Sequence, residues 1–218
     1  MTRAVTFDAF AALVAERGRH GRRLTAIAGA PGAGKSLVAE RLCAHLNTLQ
    51  PESAAVLPMD GYHYDDMILV PRGLRPRKGA PETFDVGGLR HMLVRLKENA
   101  EDEVMVPVFD RDLEIARAAA RAIGYGVRHV IVEGNYLLLD REPWRDLKAL
   151  FDITAMLVVP EATLRARLLA RWQDYGLSGA ELEAKLEGND LPNGRLVAAA
   201  SAPADFSLAT DEREEARP

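Results

Sequence analysis

Apolar positions along this chain follow two rhythms. Phe7, Phe10, Leu13 and Val14 recur every three or four residues, which predicts a helix over 6–17. LTAIA at 24–28 is instead an unbroken apolar run closing on a glycine, the pattern of a buried strand. Helical spacing returns over 35–49, and AAVLPMD at 54–60 reads as a second strand ending in an acid. Residues 61–85 have little periodicity and many prolines, glycines and arginines, so a long functional loop is expected there. Leu89, Met92, Leu93 and Leu96 mark an amphipathic helix, and VMVPVF at 104–109 a short strand. HVIVEG at 129–134 and TAMLVVP at 154–160 are two more buried strands. Helical patterns at 161–174, 179–187 and 192–200 precede a last expected strand at 204–209. The closing DEREEARP is charged and reads as a solvated end.

Strands that are apolar throughout and alternate with helices predict an α/β fold, a mainly parallel sheet covered by helices on both faces. In such sheets ligands bind beyond the carboxyl ends of the strands, which is where this chain places its acids and glycines. The 218 residues suit a single domain over 1–218, with 61–85 and 161–190 as its substrate-loop and lid segments.

Composition narrows the function classes. Hydrophobic residues make up 48% and charged residues 28%, the balance of a globular protein. The net charge of −4 argues against a general binder of nucleic acid or membrane surfaces. No apolar run approaches the ~20 residues of a membrane span, and MTRAVTFDAF lacks the apolar core of a signal peptide. A single cysteine, Cys43, rules out an internal disulfide and fits a reducing cytoplasm. Its neighbours Val38, Ala39, Leu42 and Leu46 predict a small buried filler. Monomer and homodimer both stay open.

The chemistry begins at Gly29-Ala30-Pro31-Gly32-Ala33-Gly34-Lys35-Ser36, which fits GxxxxGK[ST] with a strand before it and a helix after it. Glycines let the backbone wrap closely, so that successive N–H groups point at phosphate oxygens, and the helix N-terminus adds partial positive charge. Lys35 is expected to reach the β- and γ-phosphates of ATP, and Ser36 to offer its hydroxyl to Mg2+. Asp60 closes the second strand and opens Asp-Gly-Tyr-His-Tyr; a carboxylate there can accept a proton from an attacking hydroxyl, or simply form a turn. Glu133 ends HVIVE and suits a role near Mg2+, or a strand end meeting solvent. His63 and Asn135 are candidates for substrate contact, although loop histidines and turn asparagines often have no such role.

Pro71-Arg-Gly-Leu-Arg-Pro-Arg-Lys78 carries Arg72, Arg75, Arg77 and Lys78 without an acid. It reads either as a solvated loop or as one that closes over an anion, with Arg77 the candidate contact. Asp85 either caps the following helix or grips substrate hydroxyls. Arg167 and Arg171 share one face of a predicted helix and could stabilise charge over ATP. Asn189 and Asn193, in Gly188-Asn-Asp-Leu-Pro-Asn193, are natural cap and turn residues with binding as the alternative.

Together GAPGAGKS, PMDGYHYDD, PRGLRPRKGAPETFD, PVFDR, VEGNYLLL, RLLARW and GNDLPN carry a resemblance over nearly the whole chain. The sequence resembles the uridine kinase, phosphoribulokinase and pantothenate kinase group of P-loop kinases. It is most similar to bacterial nucleoside/nucleotide kinase-like proteins that carry a fructokinase label. The resemblance implies a P-loop NTPase fold of three layers, α/β/α, with a helical lid, acting on ATP, Mg2+ and a small-molecule acceptor. It implies Asp60 as catalytic base, Glu133 near Mg2+, Arg171 with Arg167 as lid arginines and Arg111, with Asp110, at the acceptor site. It also adds weight to Asn189. The acceptor stays open among a sugar, a nucleoside and a pantothenate-type alcohol.

Two other classes compete with a kinase. A GTPase-like switch needs an NKxD motif, which is missing; Asp85-Val-Gly-Gly88 matches DxxG but follows no strand. An ATP-binding regulator without chemistry would not need Lys35, Ser36, Asp60 and Glu133 all intact.

Overall fold

The computed structural model describes residues 2–209. Six strands form one parallel sheet: β1 (Arg3–Val5), β2 (Arg23–Gly29), β3 (Ala54–Pro58), and three later strands. Seven α-helices and a hairpin surround it among the described residues. In chain order the helices are α1 (Phe7–Arg17), α2 (Lys35–Leu49), α3 (Asp66–Leu69) and α4 (Val86–Glu98). The antiparallel hairpin follows, β4 (Glu103–Asp110) and β5 (Ile115–Gly124), and then β6 (His129–Gly134) and β7 (Ile153–Val158). The chain continues as α5 (Glu161–Asp174), α6 (Gly179–Lys185), a π-helical turn (Leu186–Asp190), α7 (Leu191–Ala200) and β8 (Phe206–Ala209).

The sheet order is β1-β8-β7-β2-β6-β3, so the strand leading into the glycine-rich loop lies inside the sheet. Alternation divides the core into two layers. Leu24, Ala26, Val130 and Val132 point to one face, where they meet Leu89, Leu93 and Leu96 of α4 and Val197 of α7. Ile27, Ile131, Ile153 and Ala155 point to the other, against Phe10 and Val14 of α1 and Leu42 and Leu46 of α2. A third, smaller cluster of Leu168, Leu182, Leu186 and Leu191 holds α5, α6 and the π-turn together. This is the three-layer α/β/α arrangement with a helical lid. No described helix is long and apolar enough to cross a membrane.

The structure departs from the expected elements where local pattern is weak. The second strand stops at Pro58, and Met59–Tyr62 forms a 3-10 turn, so Asp60 sits on a turn and not at a strand end. A proline supplies no N–H to continue the ladder. Residues 61–85 contain α3 and two further 3-10 turns, Arg75–Arg77 and Pro81–Thr83. The expected helix at 179–187 ends at Lys185 and widens into the π-turn. β1 is too short to show a period, and β5 reads IARAAARAIG, alanine-rich and poor in the β-branched residues that mark strands. Cys43 is half-buried, its Sγ 3.4 Å from the Ala54 carbonyl oxygen. The charged DEREEARP end lies outside the described residues.

Candidate active site

At the carboxyl end of the sheet, β2 delivers Gly29 and α2 begins at Lys35. Between them Gly32 and Gly34 take φ of +79° and +87°, the left-handed region that favours glycine. A Cβ on Gly32 would stand 3.0 Å from Leu168 Cγ, so the lid helix α5 rests directly on the loop. Lys35 is buried, and its Nζ donates to the Ala30 carbonyl at 2.9 Å. Burial lowers its pKa from the ordinary lysine value, while the nearby Glu133 and Asp60 carboxylates act in the opposite sense.

Strand register brings the acids to the same place. Glu133 on β6 pairs with Ile27 on one side and Pro58 on the other. Because Ile131 faces α2, alternation sends Glu133 to that face too, where Ser36 lies in the first turn of the helix. Gly134 then allows a close approach: a Cβ there would fall 2.4 Å from Met59 Cβ. The 59–62 turn therefore packs against the end of β6 and sets Asp60 beside Glu133. Burial, and then the Asp60 charge, push the Glu133 carboxyl up to about 7; Lys35, a hydrogen bond from Ser36 and Arg111 pull the other way.

Asp60 Oδ2 accepts a hydrogen bond from Arg111 Nη2 at 2.8 Å. Arg111 lies just past the end of β4, so the hairpin carries it to the site. His63 Nδ1 stands 2.7 Å from the Asp60 carbonyl oxygen. A carbonyl can only accept, so Nδ1 carries the proton. Burial lowers the pKa of this histidine, which favours the neutral ring and leaves Nε2 as an acceptor. The ring packs between Phe84 and Phe109, with centroid separations of 4.0 and 4.7 Å.

Lys35, Ser36, Asp60, Glu133, Asn135 and Arg171 meet in one cavity of about 260 Å3, with His63, Lys78 and Arg111 also in its lining. Arg167 lies on the flank, Nη1 reaching the Gly32 carbonyl oxygen at 3.5 Å. Asp85, Arg77 and Asn189 sit outside the cavity lining, as do Asp110 and Asn193. Asp85 Oδ1 accepts from the Gly88 N–H at 2.9 Å and caps α4. Arg77 pairs with Glu82 at 3.3 Å and donates to the Gly188 carbonyl at 3.1 Å. Asn189 is buried, donating to the Lys78 carbonyl at 2.9 Å.

Sequence reasoning assigned no site role to Lys78, Phe84, Phe109, Trp172, Lys185 or Asp190, all of which line the cavity. Lys78 closes the basic run, and Phe84, Phe109, Trp172 and Asp190 lie inside the motifs that carry the resemblance; Lys185 had no signal. A larger cleft of about 760 Å3 lies between α5, α7 and strands β7 and β8, but its walls are mostly aliphatic, Met156, Leu164 and Val197 among them. Size and chemistry part company here, and the titratable groups gather in the smaller cavity.

No family profile matches the chain. A Schizosaccharomyces pombe protein named "putative uridine kinase" is 37% identical over 180 residues, covering 79% of this chain and 76% of that protein. The chain belongs to the uridine kinase family of P-loop kinases. As such a kinase it is a phosphotransferase with a hydroxyl acceptor. A crystal structure from Silicibacter sp. TM1040, described as a "putative fructose transport system kinase", is 46% identical with a TM-score of 0.86, covering 94% of this kinase and 99% of that chain. Saccharomyces cerevisiae YFH7, described as "a putative P-loop containing kinase with a circular permutation", shares the fold at a TM-score of 0.81 and 20% identity, covering 94% of this kinase and 98% of that chain.

Proposed function

We propose that this kinase, acting as a single domain, moves the γ-phosphoryl group of ATP to a hydroxyl of a small polar acceptor, with a sugar as the favoured class. The observation that carries the reading is the convergence of Lys35, Asp60, Glu133 and Arg171 on one cavity. The 29–36 loop cradles the triphosphate through its N–H groups. Asp60 orients the acceptor hydroxyl and takes its proton. Lys35 and Arg171, with Arg167 behind, offset charge on the transferring group. Arg111, His63 and Asn135 contact the acceptor.

Mg2+ fits this donor set. The Ser36 hydroxyl and the Glu133 carboxyl are hard oxygen donors already hydrogen-bonded to one another. No group of three or more His, Cys, Asp or Glu among the described residues could hold a metal. That agrees with an ion that takes one or two protein ligands and completes its shell with phosphate oxygens and water. Bound there, Mg2+ would neutralise phosphate charge; Ser36 and Glu133 are the residues that would hold it.

Cavity size supports a small acceptor. About 260 Å3 is below the ~300–1,000 Å3 of pockets that hold drug-sized ligands, and the γ-phosphoryl group needs part of it. The fructose-related name of the Silicibacter structure points the same way. A nucleoside is the second reading, supported by the aromatic wall of Phe84, His63 and Phe109 and by the uridine kinase name of the yeast relative.

The test is an ATP-consumption screen with MgATP against sugars, nucleosides, pantothenate and sugar phosphates, with Asp60→Asn as control. ADP release stimulated by one acceptor and lost in the variant is the expected result. ATP binding without stimulation by any acceptor would favour a regulatory ATP-binding protein.

A further inference from the structure

The four cations of the 71–78 run have very different surroundings. Arg72 lies 5.5 Å from the centre of the Tyr64 ring. Arg75 and Arg77 pair with Asp66 and Glu82, their side chains 41% exposed. Lys78 turns inward; its side chain is 3% exposed. Its Nζ donates to Asp66 Oδ1 at 2.8 Å and to the Glu114 carbonyl at 2.5 Å, and stands 5.5 Å from the centre of the Phe109 ring. An ammonium has three N–H donors, and burying one is unfavourable without partners. Two of the three are engaged by α3 and the hairpin tip, and the group shares the acceptor side of the cavity with His63 and Arg111.

The backbone of Lys78 is held from the lid. Its carbonyl accepts from Asn189 Nδ2 at 2.9 Å, and Asn189 Oδ1 accepts from Asn193 Nδ2 at 3.0 Å. Both asparagines are 2% exposed, and neither lines the cavity. Arg77 adds a strut to the Gly188 carbonyl at 3.1 Å. Asn189 belongs to the π-helical turn, a rare geometry that recurs at functional sites. Asp190 of the same turn accepts from Trp172 Nε1 at 2.6 Å, next in sequence to Arg171. One turn thus touches the nucleotide side at Trp172 and the acceptor side at Lys78.

We propose that Lys78 is a further acceptor-binding residue and Asn189 a positioning residue that sets it from the lid, so that nucleotide and acceptor binding are coupled through the 186–190 turn. The proposal rests on the kinase reading above. Coupling of this kind is reciprocal, and a typical strength is about 5–150-fold in affinity.

Hydrogen exchange on the full chain reads the coupling without an acceptor, using Mg2+ and the non-hydrolysable analogue AMP-PNP. A nucleotide titration of the wild type comes first; no binding there overturns the kinase reading itself. In the wild type, nucleotide should slow exchange roughly 10-fold at lid amides and also at residues 77–80. In Asn189→Ala the lid keeps its protection and 77–80 loses it. Arg77→Ala, at a partly exposed side chain, should give part of the same loss and serves if Asn189→Ala does not fold. Equal protection of 77–80 in the wild type and the folded variants overturns the coupling. Lys78 is tested with whichever of D-fructose, uridine or pantothenate turns over. Lys78→Met should raise the KM of that acceptor about 10–100-fold, with AMP-PNP affinity in the absence of acceptor unchanged, on the worth of a hydrogen bond to a charged group. Lys78→Arg should recover part of it. An unchanged acceptor KM in Lys78→Met removes Lys78 from the acceptor site.

Discussion

The two sides of the cavity are built in opposite ways. The proposed nucleotide side is centred on one continuous stretch, 29–36, a backbone cradle between a strand and a helix, to which α5 adds Arg171 and Trp172. The proposed acceptor side is assembled from the 59–62 turn, the 61–85 loop and the hairpin tip, held together by side chains such as Lys78 and Arg111. A local motif fixes what is common to the fold, triphosphate binding. A wall collected from distant segments can change its residues without disturbing the cradle, which is how one fold serves many acceptors.

Asp60→Asn tests that division most severely. Turnover should fall roughly 10²–10⁴-fold, the usual worth of a general base, while ATP affinity in a binding titration stays nearly intact. Unchanged turnover would take the base role from Asp60. Lys35→Ala should lose about 10²–10³ in kcat/KM for ATP, on the worth of a donor aimed at developing charge. Steady-state kinetics that kept full activity would break the cradle reading.

Glu133 sharpens the comparison from the side of stability. Its carboxyl sits near 7 in the fold, raised by burial, against an ordinary value of 4.5. The folded state therefore holds the extra proton between those values, and stability should fall as pH rises from about 4.5 to 7. The effect is on the order of 2 kcal/mol for the protein without nucleotide. Thermal melts from pH 5 to 8 should show that slope in the wild type and a flatter one in Glu133→Gln; identical slopes would mean the carboxyl is not raised. The smallest effect belongs to Asp85→Ala. Loss of a helix cap predicts about 1 kcal/mol by denaturant melting, with turnover unchanged. A large rise in acceptor KM would instead give Asp85 a substrate role.

Legibility in the sequence followed the same divide. Buried strands and the glycine loop are local signals, and β2, α2, β6 and α5 lie within a residue of where the apolar pattern puts them. The hairpin partner β5 was invisible because alanine and arginine carry no strand period, and it is held by pairing with β4 instead. Asp60 could be picked out by residue type, but its place beside Glu133 depends on β3–β6 register and on the missing side chain of Gly134. Lys78 and Asn189 meet across more than a hundred residues, through a contact no spacing rule reports.

The outermost pairing of the sheet has a consequence for how the chain assembles. Arg3, Ala4 and Val5 pair with Phe206, Ser207 and Leu208, so among the described residues β1 gains its ladder from β8 alone. Among the described strands β1 has no sheet neighbour until Phe206–Ala209, about 200 residues further along, has been made. Contacts of such sequence separation slow folding, so this edge is expected to close late, onto a sheet already formed by β7, β2, β6 and β3. Because the two strands run parallel, a link from the end of β8 to the start of β1 would have to cross back along the strands; with such a crossover the chain could open elsewhere and keep the described strand pairings. YFH7, which carries a circular permutation on this fold, illustrates that freedom.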